Sequence, residues 1–517
     1  FLKKRLLRRF KKLKMLGKTF MQKTTRSFGS RAVPKQTQLF IDGQWCNSVK
    51  GGTFETIDPF TEEPITQVQR ASREDVDKAV LAARIAFDHG PWRRMSATDR
   101  GNLLYRLGDL VEKNAEELAY LEALDNGKPV SVAKVADLPL TWNTYKYYGG
   151  WANKITGDTI PAPGNFHAYT RREPVGVAAQ IIPWNFPLLM QAWKLGPALA
   201  AGCTVVMKTA EQTPLSALKI AELIKEAGFP DGVVNILSGF GEDAGAYLST
   251  HPDVDKVAFT GSTAVGLQIM RNSSLGGLKR VTLELGGKSA NIICEDADVD
   301  MAVQQSHLGL FFNQGQCCIA GSRLFVHDKI YDEFSEKSAK FASEAKLGDS
   351  QDAATTQGPQ VSKEQQDTVW GYIEKGKKEG ATLLAGGEKY DGKGYFVKPT
   401  VFADVKDDMT IAKEEIFGPV MQIMKFSDYD DVIDRANRSE YGLGAGVVTK
   451  DIGRAFHLTN GLRAGTVYVN CYDVFDPTLP FGGYKNSGIG RENGPQGLDN
   501  YLETKTVIMS RPDGSLP

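Results

Sequence analysis

The chain has 517 residues, of which 41% are hydrophobic and 24% charged, a composition typical of a globular protein with about two to four domains. This composition excludes collagen, coiled coil and disorder for the body of the chain. No run of about 18 apolar residues occurs, so we expect no membrane-spanning helix. The six cysteines are too few for a disulfide scaffold and lack zinc-binding spacing, so we expect a reducing compartment and no metal site.

The formal net charge of zero combines two unlike parts of the chain. The first 41 residues contain 13 Lys and Arg and no acidic residue, whereas the remainder contains 49 basic and 62 acidic residues. An acidic body is a poor surface for nucleic acid, so we expect no nucleic-acid partner.

The basic N-terminal segment has the pattern of an amphipathic helix. Its apolar residues recur every three or four positions, at Leu2, Leu6, Phe10, Leu13, Leu16 and Phe20. Residues 1–31 are rich in Arg, contain Ser and Thr and lack acids, and so resemble a mitochondrial transit peptide. A solvated basic tail and an RNA-binding arm are the alternatives. We interpret residues 1–36 as a targeting segment and expect the mitochondrial matrix, with the cytoplasm as the alternative.

From residue 38 the chain has the pattern of a folded domain. The dipeptide Asp42-Gly43 lies between apolar flanks and predicts a β-hairpin. Apolar residues at helical spacing predict a helix over 75–87, capped near Ser72. A longer leucine repeat predicts one continuous helix over 98–124.

Residues 174–289 alternate short β-branched runs with helical patterns. Strands are predicted at 176–183, 204–208, 233–239, 256–262 and 281–287, with helices around 188–201, 214–228, 242–250 and 264–273. Five strands separated by helices indicate a parallel sheet covered on both faces. Ligands of such sheets bind beyond the carboxyl ends of the strands. Asn185, Lys208, Ser262 and Glu284 all fall at such positions.

A second α/β region is predicted over about 290–480. Its strands lie near the sequences SRLFVH, YFVKPTVF, VMQIMKF, GAGVVT and TVYVN. The C-terminal stretch 500–510 alternates weakly and is also predicted to be a strand. Because it has no partner nearby in sequence, we expect it to pair with another subunit.

Residues 259–266, FTGSTAVG, follow a predicted strand and open a predicted helix. The free N–H groups and positive dipole end of such a helix suit a phosphate. The spacing differs from the dinucleotide fingerprint, so a tight turn explains the glycines equally well. Lys208 and Glu211 follow a neighbouring strand. An acid there can accept hydrogen bonds from ribose hydroxyls and repel a 2′-phosphate, although a solvated charge pair is the alternative.

Three further positions suit nucleophilic catalysis. Cys317 and Cys318 lie in a Gly-containing loop, where a reactive thiolate is favoured over the usual buried, inert cysteine. Glu284 lies in an otherwise apolar strand, so burial would raise its pKa toward that of a general base. A hydrogen-bonded structural Glu is the alternative. Asn185 lies between two prolines and suits an oxyanion donor or a turn.

Seven motifs occur in one chain, in the order PWNFP, MKTAEQTP, FTGST, LELGGKS, FNQGQCC, KEEIFGPV and PFGGYKNSGIGRE. Together they resemble the aldehyde dehydrogenase superfamily, specifically its mitochondrial and cytosolic NAD-dependent class. The resemblance implies an α/β fold with a Rossmann-like parallel-sheet cofactor domain (37–155 and 175–286). It also implies a second α/β catalytic domain (287–486) and a small β oligomerisation arm (156–174 and 502–511) in a homotetramer.

The resemblance further implies a role for each matching residue. Cys318 matches the nucleophile, Glu284 the general base and Asn185 the oxyanion donor. Glu492 matches a second acid in a proton relay. NAD contacts are implied at Trp184, Lys208, Glu211, Gly261, Ser262, Thr263, Gly266, Gln365, Glu415 and Phe417. The substrate tunnel is implied at Met190, Trp193, Phe475 and Phe481.

The function implied by the resemblance is NAD-dependent oxidation of an aldehyde to a carboxylic acid. The reaction passes through a cysteine thiohemiacetal and a thioester, with water as acyl acceptor and no metal. A CoA-acylating enzyme and a non-catalytic structural protein on the same scaffold are the alternatives. Glu284 favours water over CoA, and its presence together with Cys318 and Asn185 favours catalysis. The apolar tunnel residues favour aliphatic or aromatic aldehydes.

The N-terminal pattern leads to a first prediction. Residues 1–31 fused to a fluorescent reporter are expected to direct it into mitochondria, because an acid-free amphipathic helix is the import signal. The mature chain is expected to begin between about residues 26 and 36, as N-terminal sequencing would measure. A reporter that stays in the cytosol would contradict targeting and leave the cytoplasmic alternative.

Overall fold

The computed structural model describes residues 35–511. The strands within this range are β1 (Leu39–Ile41), β2 (Gln44–Cys46), β3 (Thr53–Asp58), β4 (Glu63–Gln69), β5 (Thr159–Ile160), β6 (Phe166–Pro174), β7 (Val177–Ile181), β8 (Thr204–Lys208), β9 (Val234–Leu237), β10 (Lys256–Thr260), β11 (Arg280–Glu284), β12 (Ala290–Ile293), β13 (Arg323–His327), β14 (Thr382–Ala385), β15 (Thr400–Ala403), β16 (Val420–Phe426), β17 (Gly444–Val448), β18 (Thr466–Val469), β19 (Gly488–Ile489) and β20 (Leu502–Ser510).

The α-helices within the same range are α1 (Arg73–Asp88), α2 (Pro91–Arg94), α3 (Ala97–Lys113), α4 (Ala115–Asn126), α5 (Val130–Val132), α6 (Leu138–Trp151), α7 (Pro187–Ala201), α8 (Leu215–Ala227), α9 (Ala246–Thr250), α10 (Thr263–Ser273), α11 (Val299–Phe311), α12 (Tyr331–Ser343), α13 (Lys363–Lys378), α14 (Thr410–Lys413), α15 (Tyr429–Asn437), α16 (Ile452–Gly461) and α17 (Gln496–Asp499). None of them is long and apolar enough to cross a bilayer.

The first sheet contains the five parallel strands that the sequence predicts. Its order is β19-β11-β10-β7-β8-β9-β1-β2, with β11 to β9 parallel. The predicted hairpin is formed by β1 and β2 around Asp42 and Gly43, which both have positive φ. Antiparallel neighbours therefore close both ends of the parallel core: β1 pairs with β9, and β19 pairs with β11.

The second sheet has the order β14-β15-β16-β13-β12-β17-β18 and is parallel except for β14. The five strands predicted for this region are all present. The prediction missed β12 and β14, which have only four residues each. Runs this short show no measurable periodicity. These two strands are therefore recognised by their hydrogen-bonded pairing in the structure and not by their sequence pattern.

The C-terminal strand has a partner within its own chain, and its expected pairing with another subunit stays a prediction. Over nine residues β20 pairs antiparallel with β6 of the same chain, from Leu502 opposite Pro174 to Ser510 opposite Phe166. With β5 these strands form a three-stranded sheet. A pairing across more than 300 residues leaves no trace in local pattern. The other edge of β20 is unpaired within residues 35–511, and Ile508 is 65% exposed beside it.

The helix predicted over 98–124 is two helices rather than one. It breaks at Asn114, between α3 and α4, where the Asn114 amide Nδ2 donates to the Leu110 carbonyl at 2.8 Å. Asn competes for backbone hydrogen bonds in this way and so favours helix ends. The helix predicted over 242–250 also differs, because it begins with a π-helical turn, Gly241–Gly245, before α9.

Helix α7 is buried along its whole length. It follows β7 directly and packs against α6 and α3. Because an amphipathic helix would leave one face in water, complete burial requires the near-continuous apolar sequence of this helix. Helix α7 therefore carries the side chains of Met190, Trp193 and Lys194 at fixed positions inside the protein.

Candidate active site

The polar residues predicted from the first sheet meet at one edge. Strand β8 ends at Lys208 and β11 ends at Glu284, and Glu284 lies opposite Thr260 in the register of β10. The chain leaving β7 continues into Trp184 and Asn185 before α7 begins. Since all these strands are parallel, their carboxyl ends lie on the same side, where such sheets bind ligands.

A sharp reversal presents the two adjacent cysteines to this edge. After α11, three consecutive residues adopt left-handed backbone angles: Asn313 (φ 50°), Gln314 (φ 58°) and Gly315 (φ 73°). Such a run in non-glycine residues costs free energy and persists only where surrounding contacts enforce it. Beyond it, Cys317 is buried in the apolar core, whereas Cys318 is only partly buried.

The glycines of the motif LELGGKS allow the second sheet region to approach the end of β11. A side chain on Gly287 would clash with the Cys318 carbonyl, and one on Gly286 would clash with the Glu415 carboxylate. The Gly287 N–H instead donates to Glu415 Oε1 at 3.0 Å. The glycine pair therefore brings Glu284, Cys318 and Glu415 together.

Glu284 is almost completely buried, and neither carboxylate oxygen has a hydrogen-bond partner among residues 35–511. Burial raises its pKa well above the usual value, and the negative charge of Glu492 raises it further. Lys194 and the nearby Cys318 thiol act in the opposite direction. Within the described residues Glu284 is thus held by no hydrogen bond to the scaffold, and the Cys318 thiol is its polar neighbour.

The Cys318 thiol also has a raised pKa. Its contact with Cys317 is the main cause, followed by burial and the negative charge of Glu284. Because two neighbouring groups that ionise to anions oppose each other, a negative charge on Glu284 disfavours the thiolate of Cys318.

Lys194 is a site residue that the sequence interpretation missed. Its Nζ donates to Thr260 Oγ1 at 2.7 Å and forms an ion pair with Glu492. The side chain of Lys194 is 1% exposed, so the charge is compensated inside the protein. One signal was available: Lys194 is the single charged residue of the fifteen in α7. Lys194 thus connects Glu492 to Thr260, the residue that lies opposite Glu284 in the sheet.

Asn185 is buried beside the cysteine loop. Its Nδ2 donates to the Gln316 carbonyl at 3.0 Å, two residues before Cys318. A side-chain amide has two N–H groups, so one donor is left for another acceptor at this position. The structure thus brings Asn185 to the nucleophile loop from a different sheet region.

The predicted phosphate-binding residues lie at the exposed start of α10. Ser262 caps this helix by accepting from the Val265 N–H at 3.4 Å, and Thr263 Oγ1 donates to the Asn486 carbonyl. Gly261 precedes the cap. Glycine is required at position 266 for a different reason: a side chain there would clash with Leu285. The free N–H groups of the first turn are therefore open to an anion.

Lys208 and Glu211 form an ion pair of 3.0 Å after β8, in which Lys208 is buried and Glu211 is partly exposed. Burial lowers the pKa of Lys208, and Glu211 opposes this shift. The carboxylate of Glu211 thus lies at the sheet edge with its charge partly balanced.

Four residues predicted as cofactor contacts come together from distant parts of the sequence. Trp184 packs edge-on against Phe417, with ring centroids 5.2 Å apart. Phe417 has positive φ (55°), and its carbonyl accepts from Gln365 Nε2 at 2.8 Å. Burial raises the pKa of Glu415, two residues earlier, to about 7. These contacts build an aromatic wall beside the Cys318 loop.

The residues predicted for the substrate tunnel also cluster. The Trp193 ring centroid lies 5.2 Å from that of Phe481 and 6.3 Å from that of Phe475. Phe475 and Phe481 are 5.8 Å apart, and Met190 is buried one helical turn before Trp193. An apolar group would be favoured in contact with these rings.

The fold and this site define a class of protein: an α/β dehydrogenase that uses a dinucleotide and a cysteine. The Aldehyde dehydrogenase family matches residues 45–507. Mitochondrial aldehyde dehydrogenase of Rattus norvegicus is 60% identical over 92% of each chain, and aldehyde dehydrogenase 1A1 of Homo sapiens is 57% identical over 92% of this chain and 95% of that one. The solved NAD⁺ complex of an aldehyde dehydrogenase from Bacillus cereus has a TM-score of 0.91 at 55% identity, covering 92% of this chain and 97% of that chain.

The chain therefore belongs to the aldehyde dehydrogenase family, and it is an NAD-dependent enzyme that oxidises aldehydes. The resemblance identified from its motifs is confirmed.

The different environments of the two cysteines lead to a prediction. Cys318→Ser is expected to lower kcat by several orders of magnitude, because a serine hydroxyl with no activating base is a poor nucleophile. Cys317→Ser is expected to retain most activity and to cost about 1 kcal/mol of stability, since its side chain packs in the core beside Cys318 and is not the proposed nucleophile. Steady-state NADH production and thermal unfolding measure the two effects.

NAD affinity serves as the control, and both variants are expected to retain it because the phosphate and ribose contacts lie elsewhere. Loss of turnover in Cys317→Ser with turnover kept in Cys318→Ser would mean that the nucleophile is misassigned.

Proposed function

We propose that Cys318, Glu284 and Asn185 oxidise aldehydes to carboxylic acids with water as acyl acceptor. The observation that carries this proposal is the buried Glu284 carboxyl, which has no hydrogen-bond partner among the described residues and faces the Cys318 thiol. A structural glutamate at this depth would be hydrogen-bonded. An unengaged carboxyl beside a thiol is instead available to move protons.

The first half-reaction forms a thioester on the enzyme. The Cys318 thiolate attacks the aldehyde carbonyl carbon and generates a tetrahedral oxyanion. The second N–H of Asn185 and the Cys318 backbone N–H stabilise this oxyanion, each worth about 3 kcal/mol in comparable sites. Trp184, Gln365, Glu415 and Phe417 would hold the nicotinamide end of NAD beside Cys318, where the cofactor would supply a hydride acceptor.

The second half-reaction hydrolyses the thioester. Glu284 removes a proton from water, which attacks the acyl carbon and releases the acid and the Cys318 thiolate. The positive charge of Lys194 favours the ionised form of Glu284, whereas its ion-pair partner Glu492 opposes it. Unlike CoA, water needs no binding surface, only a base close to the acyl group.

The cofactor residues divide into three groups by position. The start of α10, with Gly261, Ser262, Thr263 and Gly266, suits the pyrophosphate. Lys208 and Glu211 suit the adenosine ribose. Trp184, Gln365, Glu415 and Phe417 suit the nicotinamide end, beside Cys318. We propose accordingly that residues 37–155 and 175–286 form the NAD-binding domain and residues 287–486 the catalytic domain.

The proposed function is tested by following NADH absorbance with an aliphatic aldehyde, with and without CoA. Wild type is expected to form NADH and free acid without CoA. Glu284→Gln is expected to form about one equivalent of NADH per site and then stop, because hydrolysis needs the base. NADH formation that requires CoA would support the acylating alternative, and none at all would support a non-catalytic protein.

The same assay has an expected pH dependence. Burial raises the pKa of Glu284, and contact with Cys317 followed by burial raises that of Cys318, so the ionised forms that react increase as pH rises. The rate is therefore expected to rise from neutral into alkaline pH in wild type. A rate that falls over this range would contradict the proposed roles.

We propose that Glu211 causes the preference for NAD over NADP. Its carboxylate at the end of the sheet would repel a 2′-phosphate. Glu211→Gln is expected to bring the kcat/KM values for NAD and NADP closer together, mainly by lowering KM for NADP. Equal efficiency of the wild-type enzyme with both cofactors would contradict this role.

We propose a homotetramer. The open edge of β20 and exposed apolar side chains on β20 and β6, such as Ile508 and Phe166, support assembly through residues 156–174 and 502–511. Light scattering at micromolar concentration is expected to report four chains. A monodisperse monomer would contradict the proposal.

We propose the mitochondrial matrix as the location of the enzyme, as its acid-free N-terminal segment and similarity to relatives named mitochondrial both support. The segment itself lies outside the residues that the structure describes. The reporter import described above tests this location against the cytoplasm.

A further inference from the structure

The loop that carries Asn185 is held by its backbone carbonyls. Asn126 Nδ2 donates to the Trp184 carbonyl at 2.7 Å and to the Asn185 carbonyl at 3.3 Å. Asn313, from the cysteine loop, donates to the same Asn185 carbonyl at 2.9 Å. The backbone of the oxyanion residue is therefore fixed between the end of α4 and the nucleophile loop.

The orientation of the Asn126 amide is itself determined by its surroundings. Asn126 is the last residue of α4 and is completely buried. Its Oδ1 accepts from the Lys128 N–H at 3.2 Å, so its Nδ2 faces the Trp184–Asn185 loop. The turn between Asn126 and Lys128 contains Gly127 at φ 87°, where a Cβ would lie 3.0 Å from the Pro359 carbonyl.

A buried ionic cluster secures the other side of this loop. Lys128 Nζ lies 4.3 Å from the centroid of the Phe186 ring, the residue after Asn185, and 2.7 Å from Asp137 Oδ2. It is also 3.7 Å from Glu122, whose Oε1 accepts from the Leu188 N–H in the first turn of α7. Charges at this depth require partners, so the cluster cannot shift without losing its compensation.

We propose that Asn126 is a positioning residue that acts through Asn185: it holds the 184–185 backbone so that the free amide N–H of Asn185 points at the developing oxyanion. This inference rests on the oxyanion role proposed above for Asn185. A displacement of about 1 Å at such a donor can cost about a hundredfold in rate. Within residues 35–511 the hydrogen bonds of the Asn126 amide go to the Trp184 and Asn185 carbonyls and the Lys128 N–H, and none goes to Cys318 or Glu284, so we expect its effect on catalysis to pass through the loop.

The test is a double-mutant cycle on kcat with the full-length enzyme, using Asn126→Ala, Asn185→Ala and the double variant. Asn126→Ala is expected to lower kcat about 10- to 100-fold, with KM for the aldehyde within about threefold of wild type. The double variant is expected to match Asn185→Ala alone, because nothing remains to be positioned.

A second variant and a control separate positioning from folding. Asn126→Ser keeps a hydroxyl for the Lys128 N–H but cannot clamp both carbonyls, so it is expected to lower kcat with a smaller loss of thermal stability. Asn114→Ala removes a similar amide-to-carbonyl bond at the start of α4, away from the loop. It is expected to lower stability and leave kcat unchanged.

Two results would overturn the proposal, and only the second would also contradict the oxyanion role of Asn185. If the losses in the double variant multiply, Asn126 acts independently of Asn185 and only the positioning role is wrong. If Asn185→Ala itself keeps wild-type kcat, the oxyanion role fails and the positioning role fails with it.

Discussion

The site depends on one steric constraint: two backbones and a carboxylate must meet at the end of β11. Gly286 and Gly287 have no side chains, so the Cys318 carbonyl and the Glu415 carboxylate can lie against the chain directly after Glu284. Any Cβ at these positions would push the second sheet region away from the first. The distance between Cys318, the proposed nucleophile, and Glu284, the proposed base, is thus set by backbone packing, which is more rigid than a side-chain contact.

Burial is the second constraint, and it acts on charge. Glu284, Lys194 and Lys128 all lie out of water, where an uncompensated charge is unstable. The two lysines have carboxylate partners, Glu492 and Asp137, and both serve to hold elements in place. Glu284 has no such partner in the described chain. The same low-polarity environment therefore holds the paired lysines in the scaffold and raises the pKa of Glu284, which has no such partner.

Sequence patterns predicted the parallel strands and the polar residues that meet at their carboxyl ends because both leave local signals. Five-residue apolar runs bounded by turns mark the strands, and polar residues that interrupt them mark the sheet edge. The break at Asn114 was missed because the leucine repeat continues through it. Lys194 was missed because a single lysine in a helix normally lies in water. The pairing of β20 with β6 is non-local, so no periodicity reports it.

The electrostatics of Cys318 and Glu284 also bear on the proposed order of the two half-reactions. The negative charge of Glu284 raises the pKa of the Cys318 thiol, so an ionised Glu284 opposes the thiolate that the first step needs. The thiol in turn lowers the pKa of Glu284, and Lys194 acts in the same direction. In the proposed mechanism an acylated sulfur has no proton left to donate to the carboxyl, whereas the positive charge of Lys194 remains. Lys194 is therefore the group that continues to favour the ionised base at the step in which water is activated.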